Sequence, residues 1–270
     1  MPRPSSCCAG GTREKELHAE WTKLRTSQGA GWLLLALVAL TVAASAAAVA
    51  TVSCPPEGCG HDAPRLSLAG VQLGQAVVAV MAVLMISGEY GTGMIRTTLT
   101  AMPRRTTVLA AKAAILIGLT LAAGSVAVLG CVLTGRLILP GNGFVPAHGQ
   151  ALLSLADGPT LRAACGSVLY LALVALLSLG VATAVRDSAT AIGVVFGLLY
   201  AFSVLPFMVA DPDWQTLLWR ISPMNAGLAV QVTTNVSGLP LSPWAGLGVP
   251  AAWAGVALLG GGLLLRRRDA

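Results

Sequence analysis

The sequence predicts an all-α integral membrane protein built as a bundle of six transmembrane helices. Only 10% of its 270 residues are charged, against the ~25% of an average soluble chain, which is too few to solvate a globular surface. Apolar residues make up 55% of the chain. They also occur in long continuous runs, whereas a membrane barrel would show short alternating strands. Soluble and disordered classes are therefore excluded.

Charged residues delimit six apolar windows, each about the ~20 helical residues needed to cross a bilayer core of ~30 Å. A cleavable signal peptide is the alternative for the first window, because Ala44 to Ala48 resembles a cleavage site. The preceding segment is about 30 residues long with three glutamates, and the apolar run exceeds the ~7–15 residues of a signal core, which favours an anchor. The chain then divides into a cytoplasmic N-terminal segment 1–30, a transmembrane domain 31–265 and a basic tail 266–270. The predicted spans are about 31–52, 66–88, 113–135, 163–185, 188–210 and 244–265.

Lysine and arginine set the orientation of these spans, because cytoplasmic loops retain them. With the N-terminus inside, 13 of the 17 basic residues fall on inner segments and four fall outside, namely Arg65, Arg136, Arg162 and Arg220. Both termini are therefore expected in the cytoplasm. The basic character reflects this bias and attraction to lipid. The sequence contains no basic groove with interleaved aromatic residues, so nucleic-acid binding is not indicated.

A short amphipathic helix is predicted before the first span. Leu17, Trp21 and Leu24 share one face, charged residues occupy the others, and Thr12 can cap the N-terminus. Such a helix lies either in the inner membrane interface or in solvent beside it, and the pattern leaves both open.

The inner segment from Glu89 to Lys112 has 24 residues, far more than a connection between two spans requires. Met94 or Ile95, Leu99 and Met102 are spaced for one face of a short helix that ends before Pro103. The sequence therefore predicts an inner helix against which a partner protein could push.

Several motifs resemble the membrane permease subunits of type-2 ATP-binding-cassette (ABC) exporters, in the actinobacterial style. They are AEWTKLRT from Ala19, SGEYGTGMIRTTLTAMPRR from Ser87, SPMNAG from Ser222, and LSPWAGL from Leu241 with the closing RRRDA. The resemblance implies a six-span permease fold with an N-terminal interfacial helix, a cytoplasmic coupling helix between the second and third spans, and polar, partly re-entrant structure between the fifth and sixth.

The resemblance also implies partners and roles. Such permeases pair with a second copy or a paralogue in the bacterial plasma membrane and bind separate cytoplasmic ATPase subunits, which use ATP and Mg. Coupling to the ATPase would then fall to Glu89, Tyr90, Arg96, Arg104 and Arg105. The chain itself is expected to bind no cofactor, since none of its three lysines follows a glycine as a Walker loop requires.

Other functions were weighed from the residues. His18, His61 and His148 fall outside the windows, so no intramembrane serine-protease arrangement forms, and no metal-ligand motif is present. The windows hold no charged residue, which favours a hydrophobic or amphiphilic substrate over an ion. The alternatives are a non-transporting membrane scaffold or sensor that docks a cytoplasmic partner, and an integral-membrane enzyme.

Polar and small residues near the windows carry further predictions. Cys54 and Cys59 form either a local disulfide in the first outer loop or two free thiols. Cys131 and Cys165 are expected to be buried as small apolar residues. Helix packing is favoured over a pathway role for Gln72 and Gln75. Close helix approach is expected at Gly193, Gly197 and the run Gly260 to Gly262.

Overall fold

The structure is a computed structural model that describes residues 28–55, 60–91, 105–144 and 153–268. The predicted N-terminal helix and the predicted coupling helix, with Arg96 and Arg104, lie outside these ranges. The described helices are α1 (Gln28–Ala50), α2 (Ala63–Ser67), α3 (Val71–Gly91), α4 (Arg105–Ile138), α5 (Gly158–Val185), α6 (Ser188–Phe196), α7 (Phe202–Met208), α8 (Pro212–Ile221), α9 (Pro223–Leu228) and α10 (Pro243–Arg268).

Five helical segments of the described chain are long and apolar enough to cross a membrane. They are Gly31–Ala50, Leu109–Asn142, Gly158–Val185, Ser188–Met208 and Pro243–Leu264. A sixth apolar segment, Val71–Ser87, is shorter and belongs to α3, which has 21 residues in all. The all-α membrane fold is confirmed. The count of six spans stays a prediction.

The interior of the bundle is mostly apolar, but it also holds buried polar side chains, and large apolar side chains cover much of the surface. Thr41, Ser45 and Gln75 are fully buried, whereas Leu133 and Leu259 are exposed. Lipid is as apolar as a leucine side chain, so exposed leucine costs nothing there, while hydroxyl and amide groups need partners inside the protein. This distribution fits a bundle immersed in a bilayer.

Helix α5 is the centre of the bundle. It packs against α3, α4 and α10, while α1 packs mainly against α4 and α3. Arg186 ends α5 in the left-handed conformation (φ 65°), and Asp187 caps α6 by accepting a hydrogen bond from the Thr190 N–H at 2.7 Å. The connection between two spans is thus only two residues long, as the sequence predicts for an inner turn.

Two helix boundaries differ from the apolar windows. The second window opens with the separate helix α2, and α3 begins only at Val71. Between them Gly70 lies so close to α1 that a Cβ atom there would be 1.9 Å from the Thr41 carbonyl oxygen. The third helix begins at Arg105, well before the predicted window. Lys112, expected in the inner loop, is therefore helical and only 3% exposed. Charge marks where an apolar run ends, which is not where a helix ends.

The fifth span is not a uniform α-helix. Between α6 and α7 the residues Gly197–Ala201 form a π turn, and Pro206 lies inside α7. A π turn inserts one residue into an α-helix, so side chains beyond it point in different directions than a regular helix would give. No periodicity argument on the window 188–210 predicts this turn.

The segment between α7 and α10 consists of short helices. Helix α8 has no buried residue and exposes Trp214 and Leu217, whereas α9 enters the bundle and buries Ala226 and Gly227. Three-residue 3₁₀ turns follow at Ala229–Gln231 and Val236–Gly238. This arrangement agrees with the polar, partly re-entrant structure that the resemblance implies.

The glycine prediction is confirmed at one position and wrong at others. A Cβ on Gly261 would lie 2.0 Å from Thr183 Oγ1 and 2.7 Å from the Gly180 carbonyl oxygen, so α10 and α5 approach closely there. Within the described chain, Gly193, Gly197 and Gly260 have no such neighbour within 4 Å. Gly193 and Gly197 are exposed. Sequence alone does not say which face of a lipid-exposed helix meets a neighbour.

Candidate functional site

The predicted coupling residues flank one connection between two spans. Glu89 and Tyr90 lie in the last turn of α3, and Arg105 is the first residue of α4. The described structure includes these backbone positions but not the side chains. Arg96 and Arg104 lie outside the described residues. Coupling through these five residues therefore stays a prediction.

A buried polar contact joins α3 to α5 and α9. The Tyr170 hydroxyl donates a hydrogen bond to Gln75 Oε1, and Gln75 Nε2 donates to Met224 Sδ at 3.2 Å. Gln75 and Tyr170 are both fully buried. We call these three residues the Gln75 network. Because an unpaired amide or hydroxyl is costly in a water-free interior, the network fixes α3 against α5 and α9.

The two glutamines of α3 have different environments. Gln75 serves helix packing, as predicted. Gln72 is exposed, and its backbone carbonyl accepts a hydrogen bond from the Tyr200 hydroxyl at 2.5 Å. Tyr200 lies in the π turn. The α3 helix thus binds one tyrosine of α5 and one of the fifth span. Sequence reasoning missed both tyrosines, whose only signal was a phenol inside an apolar window.

The SPMNAG motif supplies the structure of α9. Ser222 Oγ accepts the Asn225 N–H and lies 3.1 Å from Ser203 Oγ, and Asn225 Nδ2 donates to the Ser203 carbonyl oxygen at 3.0 Å. A Cβ on Gly227 would lie 2.5 Å from Tyr170 Cε2, so only glycine fits against that ring. Each polar or small residue of the motif therefore holds α9 inside the bundle.

A second buried pair lies beside the first. Gln231 Nε2 donates to Ser167 Oγ at 2.9 Å, and the Ser167 hydroxyl donates to the Ala163 carbonyl oxygen at 2.7 Å. Ser167 thus has a packing role. Arg162 extends this contact by donating from Nη2 to the Val232 carbonyl oxygen at 2.6 Å. The segment after α9 is thereby bound along α5.

One face of the bundle carries the loops that contain Cys54, Asp62 and Asn142, and we call it the Cys54 face. Cys54 is disulfide-bonded, and its N–H donates to the Asn142 carbonyl oxygen at 2.8 Å. The predicted partner Cys59 lies outside the described residues, so that pairing stays a prediction. Cys131 and Cys165 are free thiols. Cys131 is buried as predicted, whereas Cys165 is exposed, contrary to the prediction.

Two cavities of similar volume lie in the described part of the chain. One, of about 530 Å³, opens at the Cys54 face between α2, the start of α3 and residues 231–239. The other, of about 540 Å³, is an apolar groove between α5, the fifth span and α10, lined by Leu198, Phe202 and Trp253 among others. Within the described residues, no group of three or more His, Cys, Asp or Glu side chains is placed to hold a metal ion.

The fold and these sites define a polytopic α-helical membrane protein with short helices folded back into the bundle at one face. Comparison with protein families identifies it further. Residues 17–204 match the model of the ABC-2 family transporter proteins, which is most of the chain, and the protein belongs to this family. The chain is accordingly a permease subunit that works with a separate ATP-binding subunit. Comparison with curated protein sequences gave no match.

The matched region ends inside α7, so it includes the motifs that begin at Ala19 and Ser87 but not those at Ser222 and Leu241. The resemblance that the latter two motifs carry is therefore independent of the family match. Their contacts nevertheless reach into the matched region through Tyr170 and Ser203.

Proposed function

We propose that the chain is half of a dimeric exporter that moves a hydrophobic or amphiphilic substrate outward through the bacterial plasma membrane. In this proposal the chain has six spans, both of its termini are cytoplasmic, and the Cys54 face is turned outward. ATP and Mg act in the partner ATPase, and the chain supplies the path and the coupling segment.

The Gln75 network is the observation that carries this proposal. Helix α3 leads at one end into the predicted coupling segment, and in its other half Gln75 binds α5 and α9. A displacement of α3 by the ATPase would therefore act directly on α9, near the opposite face. That is the mechanical arrangement an alternating-access exporter needs.

The apolar groove supports the proposed class of substrate. Its lining consists of aliphatic and aromatic side chains from three spans, and its volume suits a ligand of drug size. A scaffold or sensor needs no such groove. The family membership also favours a transport subunit over that alternative.

Co-purification tests the proposal. The permease is extracted from its native membrane in mild detergent, and associated proteins are identified by mass spectrometry. An ABC ATPase is expected, with vanadate-sensitive ATP hydrolysis in the purified complex. After reconstitution in vesicles, ATP-dependent movement of an amphiphilic dye should follow. Recovery of the permease without any ATPase, under conditions that preserve a known ABC complex, would contradict the proposal.

A further inference from the structure

The cavity at the Cys54 face is lined by charged and polar side chains. Its wall includes Asp62, Arg65 and Gln72 on one side and Thr234 and Asn235 on the other. A volume of about 530 Å³ falls within the range of small-molecule sites. The cavity has no lining residue in common with the apolar groove.

All acceptor positions of the Asp62 carboxylate are taken by hydrogen bonds from residues of the cavity wall or next to it. Its carboxylate accepts hydrogen bonds from the N–H of Thr233 at 2.5 Å and of Thr234 at 3.0 Å, from both threonine hydroxyls, and from the Arg65 N–H at 3.2 Å. A carboxylate has about four lone-pair positions, so these five donors saturate it. Asp62 therefore ties residues 233–234 to α2 and offers no further acceptor to the cavity.

Arg65 is in the opposite situation. Its side chain is exposed, and in the described parts of the chain its guanidinium makes no hydrogen bond or ion pair. The same holds for the side-chain amides of Gln72 and Asn235. The cavity thus contains one unengaged cation with five N–H donors, and two amides that can donate beside it.

Part of the remaining wall is apolar, although His61 and Gln231 also line the cavity. Leu66, Ala69, Val232 and Leu239 form the apolar part, and Val232 is only 8% exposed. A guanidinium beside an aliphatic surface is complementary to a molecule with an anionic oxygen head and an apolar body.

We propose that this cavity binds the phosphate or carboxylate head of an anionic amphiphile, with Arg65 as the charged contact and Gln72 and Asn235 as neutral donors. The ligand is an anionic lipid of the adjacent leaflet, whose head would contact Arg65 and whose chains would lie along the apolar part of the wall. The proposal goes beyond transport, because binding here requires neither the ATPase nor the coupling segment.

The test uses the purified full-length chain in nonionic detergent and isothermal titration calorimetry. The probes are dihexanoyl phosphatidylglycerol, dihexanoyl phosphatidylcholine and inorganic phosphate. The wild type is expected to bind the anionic lipid roughly tenfold more tightly than the zwitterionic one, the size expected for one charge-assisted contact. Inorganic phosphate should bind more weakly than the anionic lipid, because it lacks the apolar body.

Arg65→Gln should remove the preference for the anionic lipid. Arg136→Gln is the matched control, since Arg136 is an exposed arginine near the C-terminus of α4 that does not line the cavity. The control should retain wild-type binding. Added NaCl should weaken binding of the anionic lipid to the wild type, which keeps the test independent of any folding defect in a variant.

Three results would each overturn the proposal. They are equal binding of the two lipids by the wild type, equal loss of binding in Arg65→Gln and Arg136→Gln, and binding of inorganic phosphate as tight as that of the anionic lipid. Because no ATPase is present, a failure of ATP-driven export leaves this measurement unaffected. The two proposals can therefore fail separately.

Discussion

Tyr170 of α5 donates a hydrogen bond to the side-chain amide oxygen of Gln75 in α3, and neither side chain is exposed. Each residue supplies what the other lacks in an apolar interior, an acceptor for the phenol and a donor for the amide. Neither would be tolerated in that position alone, since an unpaired polar group cannot turn to water there. The two positions therefore form one unit in sequence and in stability.

Tyr170→Phe should lower the free energy of unfolding by about 1–2 kcal/mol, because it leaves Gln75 Oε1 buried without its donor. Thermal unfolding in detergent measures the change. Gln75→Leu is expected to cost a similar amount. The double variant should cost less than the sum, since it leaves no buried phenol facing an absent amide. Additive losses would show that the two side chains do not act together.

Gly227→Ala should destabilise the protein by about 1–3 kcal/mol through overpacking. The new Cβ would lie 2.5 Å from Tyr170 Cε2 and 3.2 Å from Pro250 Cγ. Gly248→Ala in α10 is the matched control, because its Cβ meets nothing within 4 Å. That control should leave the midpoint of thermal unfolding unchanged or raised. A midpoint for Gly227→Ala equal to that of the control would argue against the packing described for α9.

Replacing Arg104 and Arg105 together by alanine should reduce substrate transport per ATP hydrolysed by about tenfold, which corresponds to about 1.4 kcal/mol of lost coupling. Membrane insertion should be normal, because both arginines lie outside the apolar spans. The measurement compares ATP hydrolysis and transport in reconstituted vesicles. Arg136→Ala serves as the control from the opposite end of α4. Unchanged coupled transport in the double variant would remove these arginines from the coupling role.

Asp187 predicts a pH dependence. Hydrogen bonds from the Thr190 hydroxyl and N–H lower the pKa of its carboxyl from the ordinary value. A lowered pKa in the folded state contributes stability that is present above the unfolded-state pKa and is lost as pH falls through the folded-state pKa. Thr190→Val removes the hydroxyl donor, so the variant should be less stable than the wild type at neutral pH, and the difference between them should shrink as the pH falls. Thermal unfolding in neutral and acidic buffers tests this. Coincident profiles would contradict it.

Thiol titration tests the predicted pairing of Cys54. The chain has six cysteines. If Cys54 is bonded to Cys59, the unfolded, unreduced protein should show about four thiols by Ellman's reagent and about six after reduction. Cys59→Ser should then raise the unreduced count to about five by releasing Cys54. A count unaffected by that substitution would place the partner of Cys54 elsewhere.

The sequence predicts the class of fold because its signals are local. Charges such as Arg186 and Asp187 interrupt long apolar runs. Those runs form helices because a backbone in lipid must satisfy its own hydrogen bonds. The residues at which helices begin and end are harder to predict from the sequence. Lys112 belongs to the helix α4 despite its charge, and Gly70, between α2 and α3, lies against Thr41, which is 29 positions earlier.

The candidate sites required the structure because their residues are distant along the chain. Gln75 and Tyr170 are separated by 95 positions, and Asp62 and Thr233 by 171. No periodicity connects such pairs, and a tyrosine within an apolar run is equally consistent with packing. The predicted disulfide, in contrast, needed only two cysteines five positions apart; Cys54 is disulfide-bonded, and its pairing with Cys59 stays a prediction.

The π turn at Gly197–Ala201 gives the fifth span one residue more than a regular helix of its length requires. If that turn tightened into ordinary α geometry, the half of the span beyond it would swivel by about 100° about its own axis. Phe202 would leave the ring of Trp253, against which it now rests edge-on. The extra residue of the π turn would thus let the second half of the span rotate about its axis while the span stays helical.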